Sequence, residues 1–253
     1  MSSMPGMAGM AMPTDTGTAS SSAGYTLRLA TTSAAPNTAT VLRFAITDPQ
    51  GMPLTHYEVD QTKKLHLYLI RTDLTGYQHL HPTLAADGSW SVPVTFAQPG
   101  DYRVVADFTV ATSSGPAAHV LGAPLTVTGT WAKQPLPAPA AATTVDGYTV
   151  NVAGTVTAGT ASPLVMRITR DGKPVTDLRP YLGVWAHLSA FRAQTLAFTH
   201  LHPTQQPMSG MAMDSPQLLQ FKAELPTSGN YRVFIQFQTG GSLHTAAVTL
   251  AAR

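Results

Sequence analysis

The chain has 253 residues, a formal net charge of +2 and only 11% charged residues. That length holds one large or two ordinary domains, and the scattered Lys and Arg form no basic stripe of the kind that grips nucleic acid. With no cysteine present, a disulfide framework, a thiolate zinc site and a blue-copper centre are excluded.

Residues 1–24 consist mainly of Met, Gly, Ala, Ser, Thr and Pro without a hydrophobic period, which predicts a disordered Met-rich tail. The opening Met1-Ser-Ser-Met-Pro-Gly-Met has neither a basic n-region nor an apolar h-region, so no secretory signal is expected in it. No apolar run approaches the ~18 residues that a transmembrane segment needs. Residues 25–129 then read as short alternating strands, among them Val41–Ile46, Leu65–Ile70, Ser91–Phe96, Tyr102–Phe108 and Leu125–Val127, separated by Gly, Pro and Asp turns. Residues 130–146 include Pro135-Leu-Pro-Ala-Pro-Ala-Ala-Ala, a stiff extended linker. Residues 147–253 repeat the first pattern. Tyr25-Thr-Leu-Arg-Leu returns as Tyr148-Thr-Val-Asn-Val, and Pro99-Gly-Asp-Tyr-Arg-Val as Ser228-Gly-Asn-Tyr-Arg-Val. Six to eight strands in each copy predict an all-β fold of two tandem β-sandwiches, immunoglobulin-like or cupredoxin-like. Tyr102 and Tyr231 read as structural tyrosines at a sandwich corner.

The duplication also carries histidines. His66 stands thirteen positions before His79-Leu-His81-Pro, and His187 thirteen before His200-Leu-His202-Pro. Asp73-Leu-Thr-Gly76 reads as the turn of a hairpin. That places His66 nearly opposite His81, with His79 and His81 on one face and Leu65, Leu67, Leu69 and Leu80 on the other. Three imidazoles gathered in this way are a common shell for zinc or copper. His119 and His244 approach the last strand of each copy and are candidate fourth ligands. His56 has no counterpart and reads as a surface residue.

Eight of the ten methionines lie in two polar, Gly-containing stretches: Met1, Met4, Met7, Met10 and Met12, then Met208, Met211 and Met213. Gly-Met-Ala-Met occurs in both, and the second stretch is an insertion just after the second H-L-H-P. Thioether sulfur is soft and favours Cu(I). If one copy handles copper and the other is scaffold, the second is therefore the expected copper handler. Carboxylates are sparse, and neither a Ser-centred elbow nor a phosphate-binding glycine loop is present, so no enzymatic activity is expected.

Leu74-Thr-Gly-Tyr-Gln-His-Leu-His-Pro82, Leu196-Ala-Phe-Thr-His-Leu-His-Pro203, Gly229-Asn-Tyr-Arg-Val-Phe-Ile-Gln-Phe237 and His244-Thr-Ala-Ala together resemble secreted or lipid-anchored, chiefly actinobacterial proteins labelled heavy-metal-binding or YtkA-like. The resemblance spans nearly the whole chain after residue 24 and implies an extracytoplasmic location. The combined expectation is a cell-envelope copper buffer, scavenger or chaperone. His clusters would hold Cu(II) or zinc, Met segments would take Cu(I), and another copper-handling envelope protein would be a partner. The rival expectation is a non-metal adhesion or assembly module of tandem sandwiches.

Overall fold

A computed structural model describes residues 16–201, 203–204 and 217–253. The chain divides after Gln134 into two units. The first contains β1 (Ser21–Ser22), β2 (Tyr25–Leu29), β3 (Ser33–Ala34), β4 (Ala39–Thr47), β5 (Leu65–Arg71), β6 (Gln78–Leu80), β7 (Thr83–Leu84), β8 (Ser89–Thr95), β9 (Gly100–Thr112) and β10 (Gly115–Val127). The second contains β11 (Ala142–Val145), β12 (Tyr148–Ala153), β13 (Ala161–Arg170), β14 (Lys173–Pro174), β15 (Ala186–Arg192), β16 (Phe198–Leu201), β17 (Leu219–Glu224), β18 (Gly229–Thr239) and β19 (Ser242–Ala252). Among the described residues no helix is long and apolar enough to cross a membrane.

Each unit is a sandwich of two sheets. In the first unit the sheet orders are β1-β2-β4-β8-β7 and β3-β10-β9-β5-β6. In the second they are β11-β12-β13-β14, with β17 also on β13, and β16-β15-β18-β19. The entering chain crosses between sheets. β2 pairs antiparallel with β4, whereas β3 pairs parallel with the last strand, β10. The second unit keeps the same parallel contact as a single bridge, Val156 to Ala252. This arrangement makes both units immunoglobulin-like.

Period-two alternation sends one face of each strand inward. Leu42, Phe44 and Ile46 of β4 meet Leu65, Leu67 and Leu69 of β5 and Val104, Ala106 and Phe108 of β9 in one core. Val150 and Val152 of β12 and Leu164, Met166 and Ile168 of β13 meet Leu188 of β15 and Tyr231, Val233, Ile235 and Phe237 of β18 in the other. Both expected tyrosine corners form. Tyr102 OH donates to Gln98 O at 3.0 Å, and Tyr231 OH to Thr227 O at 2.9 Å.

Two boundaries differ from the sequence reading. Residues 16–24, expected to belong to the disordered tail, are packed on the first unit. Gly17 N donates to Val120 O and Gly122 N to Ala19 O, while Ser21 and Ser22 pair with Thr26 and Tyr25. Gly122 permits this approach, because a Cβ there would fall on the Gly17 carbonyl oxygen. The linker is also shorter than 130–146. Arg71 lies over the Trp131 ring at 5.2 Å and Gln134 N donates to Asp73 Oδ2 at 3.0 Å, which ties 131–134 to the first unit. β11 then takes Ala142–Val145 into the second. A composition rich in small polar residues, or in Pro and Ala, predicts exposure but not whether a neighbouring strand edge has free backbone groups to pair with.

Candidate metal centre

In the first unit every residue of β5 is buried. Leu65, Leu67 and Leu69 enter the core, and Leu80 of β6 packs against it. His66, Tyr68 and Ile70 therefore occupy the outer face. The chain just before β5 accompanies them there: Glu58 pairs with Thr109, and Asp60 with Lys63 in a tight turn. The register of β5 with β6 pairs Leu67 with Leu80 and Tyr68 with His79. His81 is thus level with His66, one position beyond the last rung, as the hairpin reading predicts.

The three imidazoles converge. One nitrogen from each of His66, His79 and His81 lies within 4.8 Å of the others. Ring centroids are 5.2 Å apart for His66–His79, 5.2 Å for His66–His81 and 4.7 Å for His79–His81. Four-coordinate zinc holds its nitrogens at ~2.0–2.1 Å, which places them roughly 3.4 Å apart. Side-chain adjustments of about an ångström would close the cluster on one ion. His66 and His79 are buried, and His81 is half-buried at the rim. The inner two are shielded and the third gives access.

Hydrogen-bond partners set the tautomer of His66. Its Nε2 is 3.1 Å from Asp60 O. A carbonyl oxygen only accepts, so Nε2 carries the hydrogen and Nδ1 keeps a lone pair. That Nδ1 faces His79 Nε2 at 3.0 Å. A ligating imidazole whose other nitrogen donates to a carbonyl is the usual outer-shell arrangement of a metal-bound histidine. Tyr68 completes the setting: its ring stacks on His79 at 4.4 Å with 19° between planes. The sequence reading missed Tyr68 and the Asp60 carbonyl. Tyr68 was recoverable, since it stands two residues after His66 in a strand and must share its face.

The second unit repeats part of this geometry. Leu188 pairs with Leu201 and Ser189 with His200. His187 Nε2 is 2.9 Å from Tyr181 O, so it too carries its hydrogen on Nε2 and its lone pair on Nδ1. The His187 and His200 rings are 6.1 Å apart and 24° from parallel. His202, Met208, Met211 and Met213 lie outside the described residues, as do Met1, Met4, Met7, Met10 and Met12. Among the described residues the triad that converges is that of the first copy, and the features that favoured the second in the sequence lie outside them. The copies also differ beneath the histidines, where Ser189 replaces Tyr68 and Gln236 replaces Asp107.

His119 and His244 are not fourth ligands. His119 pairs with Phe108 and His244 with Phe237, both core residues. His66 pairs instead with Asp107 and His187 with Gln236. Neighbouring positions of one strand point to opposite faces, so His119 and His244 lie on the inner face, across the sheet from the triads. There they form matching aromatic groups. His119 is 4.5 Å from Tyr25 and 5.6 Å from Phe108, and His244 is 4.7 Å from Tyr148 and 5.2 Å from Phe237. His244 Nδ1 is also 2.8 Å from Asp146 Oδ2. The uneven spacing from Tyr102 and Tyr231 arises in the hairpins, where β9 and β10 have 13 residues each and β18 and β19 have 11. His56 is exposed, as expected.

A family model described as a domain of unknown function, DUF8832, matches residues 19–124 and 143–253. No curated protein matches the chain. Among solved structures, the Escherichia coli adhesin FdeC is 17% identical with a TM-score of 0.31, over 92% of this chain and 65% of that one. The chain thus spans less than two thirds of the adhesin structure. Tandem immunoglobulin repeats of Dlar are 10% identical with a TM-score of 0.23, over 90% and 97%. The bacterial integrin-binding protein invasin is 14% identical with a TM-score of 0.23, over 90% and 39%.

Proposed function

We propose that this chain, which belongs to the DUF8832 family and carries two copies of its domain, binds a transition-metal ion through the outer-face histidines of its immunoglobulin-like units. The observation that carries this reading is the convergence of His66, His79 and His81 within 4.8 Å, with the His66 tautomer fixed by the Asp60 carbonyl. A site of nitrogen donors without thiolate or converging carboxylate suits Cu(II) or Zn(II). The two methionine stretches add thioethers suited to Cu(I). Copper is accordingly the metal of choice, and the role is buffering, scavenging or delivery in the cell envelope. It agrees with the heavy-metal-binding resemblance. It is a binding role, not a catalytic one.

Calorimetric titration of the intact chain with Cu(II) and Zn(II), beside His79→Ala and His81→Ala variants, tests it. Loss of one binding event in each variant is expected. Equal stoichiometry and affinity in all three proteins would refute it.

A second reading has its own observation. His79 can donate from Nε2 to His66 Nδ1 across the same 3.0 Å, which satisfies both rings without an ion. On that reading the tandem sandwiches form an adhesion or assembly module of the envelope. The metal content of protein purified without an affinity tag separates the two readings.

A further inference from the structure

We propose that Asp107 makes the first-unit site selective for a divalent ion, and that Gln236 leaves the second-unit site without that selection. The proposal rests on the metal-binding reading above. The two residues occupy one place in the repeat: Asp107 is the cross-strand partner of His66, and Gln236 of His187. Ala106 and Phe108, on either side of Asp107, are buried in the core. Alternation therefore turns Asp107 to the outer face, where it is half-buried. Directly opposed residues of an antiparallel pair hold their Cβ atoms about 5 Å apart, which brings the carboxylate within a side-chain length of the His66 ring.

The imidazoles of a loaded site are neutral, so they do nothing to offset the ion's charge. A carboxylate close by attracts a doubly charged ion twice as strongly as a singly charged one, and partial burial keeps solvent from screening the difference. Gln236 supplies no charge. It is buried, and its amide Nε2 lies 3.3 Å from Thr245 Oγ1, donating there. The divergence at this position thus sorts the copies by oxidation state. The first is built for Cu(II) or Zn(II). The second has the neutral Gln236 at this position, which adds no charge to weigh against Cu(I).

The test is Asp107→Asn in the intact chain, on a His200→Ala background that also carries Met→Leu changes at Met4, Met7, Met10, Met12, Met208, Met211 and Met213, so that the first site reports alone. Affinities for Cu(II) and Cu(I) are measured separately by competition with chelators of known strength, and the copper potential by redox titration. Loss of the charge is expected to weaken Cu(II) by about tenfold or more and Cu(I) much less. A tenfold change in that ratio raises the Cu(II)/Cu(I) potential by about 59 mV. A parallel loss of both affinities, as from a merely structural role, leaves the potential fixed and overturns the proposal; so does no change in either. Failure of the His200→Ala background itself to bind copper would instead remove the metal reading on which the proposal stands.

Discussion

Replacing Asp73 by Asn probes what fastens the end of the strand that carries His66. Arg71 closes β5, and its guanidinium grips both oxygens of Asp73, with Nε to Oδ1 at 2.9 Å and NH2 to Oδ2 at 2.7 Å. The two side chains are only 4% and 1% exposed. Asp73 also accepts from Thr75 N, Thr75 Oγ1 and Gln134 N. Burial pushes its carboxyl up, but the Arg71, Gln134 and Thr75 donors outweigh burial and hold it at about 2, below the ordinary 3.8. A depressed carboxylate contributes stability above its unfolded pKa and loses it as pH falls through the folded one. The difference corresponds to at most about 2.4 kcal/mol near neutrality, and about 1–2 kcal/mol after allowance for solvent screening. Asn keeps an acceptor but leaves the Arg71 guanidinium buried without its counter-charge, so the full cost should reach about 2–4 kcal/mol. Urea unfolding of the intact chain, followed by tryptophan fluorescence, reads this directly. Trp131 rests on Arg71 and Trp90 is buried in the same unit. The gap between wild type and Asp73→Asn should narrow as pH drops from 4 towards 2. A gap below about 0.5 kcal/mol at pH 7, or one that stays constant down to pH 2, would refute the argument.

Other substitutions test other parts of the fold and site. Tyr102→Phe removes the corner hydrogen bond to Gln98 O and Tyr231→Phe those with Thr227 O and Oγ1; each should cost about 1 kcal/mol or somewhat more, confined to its own unfolding transition in calorimetry. Gly122→Ala places a methyl against the Gly17 carbonyl; residues 16–19 should detach and become cleavable by a protease, while the circular dichroism of the strands is retained. Zn(II) or Cu(II) at about 100 times its Kd should stabilise the first unit by about 2.7 kcal/mol. His79→Phe, which preserves a ring to stack on Tyr68, should abolish that metal-induced shift without large loss of stability in its absence.

The sandwich and the histidine face were legible because both follow from the period of two. Leu65, His66, Leu67 and then His79, Leu80, His81 can alternate in only one way across a hairpin, and a turn at Asp73–Gly76 fixes their register. The place of His119 and His244 was not legible. The sequence shows them near the last strand, but which face they take depends on the length of the β9–β10 and β18–β19 hairpins, and a shift of one residue reverses it. The packing of residues 16–22 was likewise hidden, since it depends on an open edge of β10 more than a hundred residues downstream. Nor could spacing show that Trp131 and Gln134 serve the Arg71–Asp73 pair, because the linker composition there looks uniformly extended.

Duplication by itself does not distinguish a metal site from a structural histidine, and the two copies show why. His66 and His187 both satisfy Nε2 with a carbonyl six residues earlier, Asp60 O and Tyr181 O. The tyrosine corners and the His–aromatic trios are equally well kept, and those trios hold no ion-binding geometry. A buried strand histidine that caps a preceding turn accounts for the first imidazole of each copy. In the first copy a hydrogen bond from His79 Nε2 to His66 Nδ1 would complete the structural role with two rings, whereas the metal reading uses all three nitrogens that converge within 4.8 Å. The discriminating residue is therefore His79. Its stack on Tyr68 can be supplied by any flat ring, whereas only an imidazole sets a nitrogen 3.0 Å from His66 Nδ1. Separation of those two properties in His79→Phe decides whether the outer face of the first unit is a metal site or a well-packed sheet.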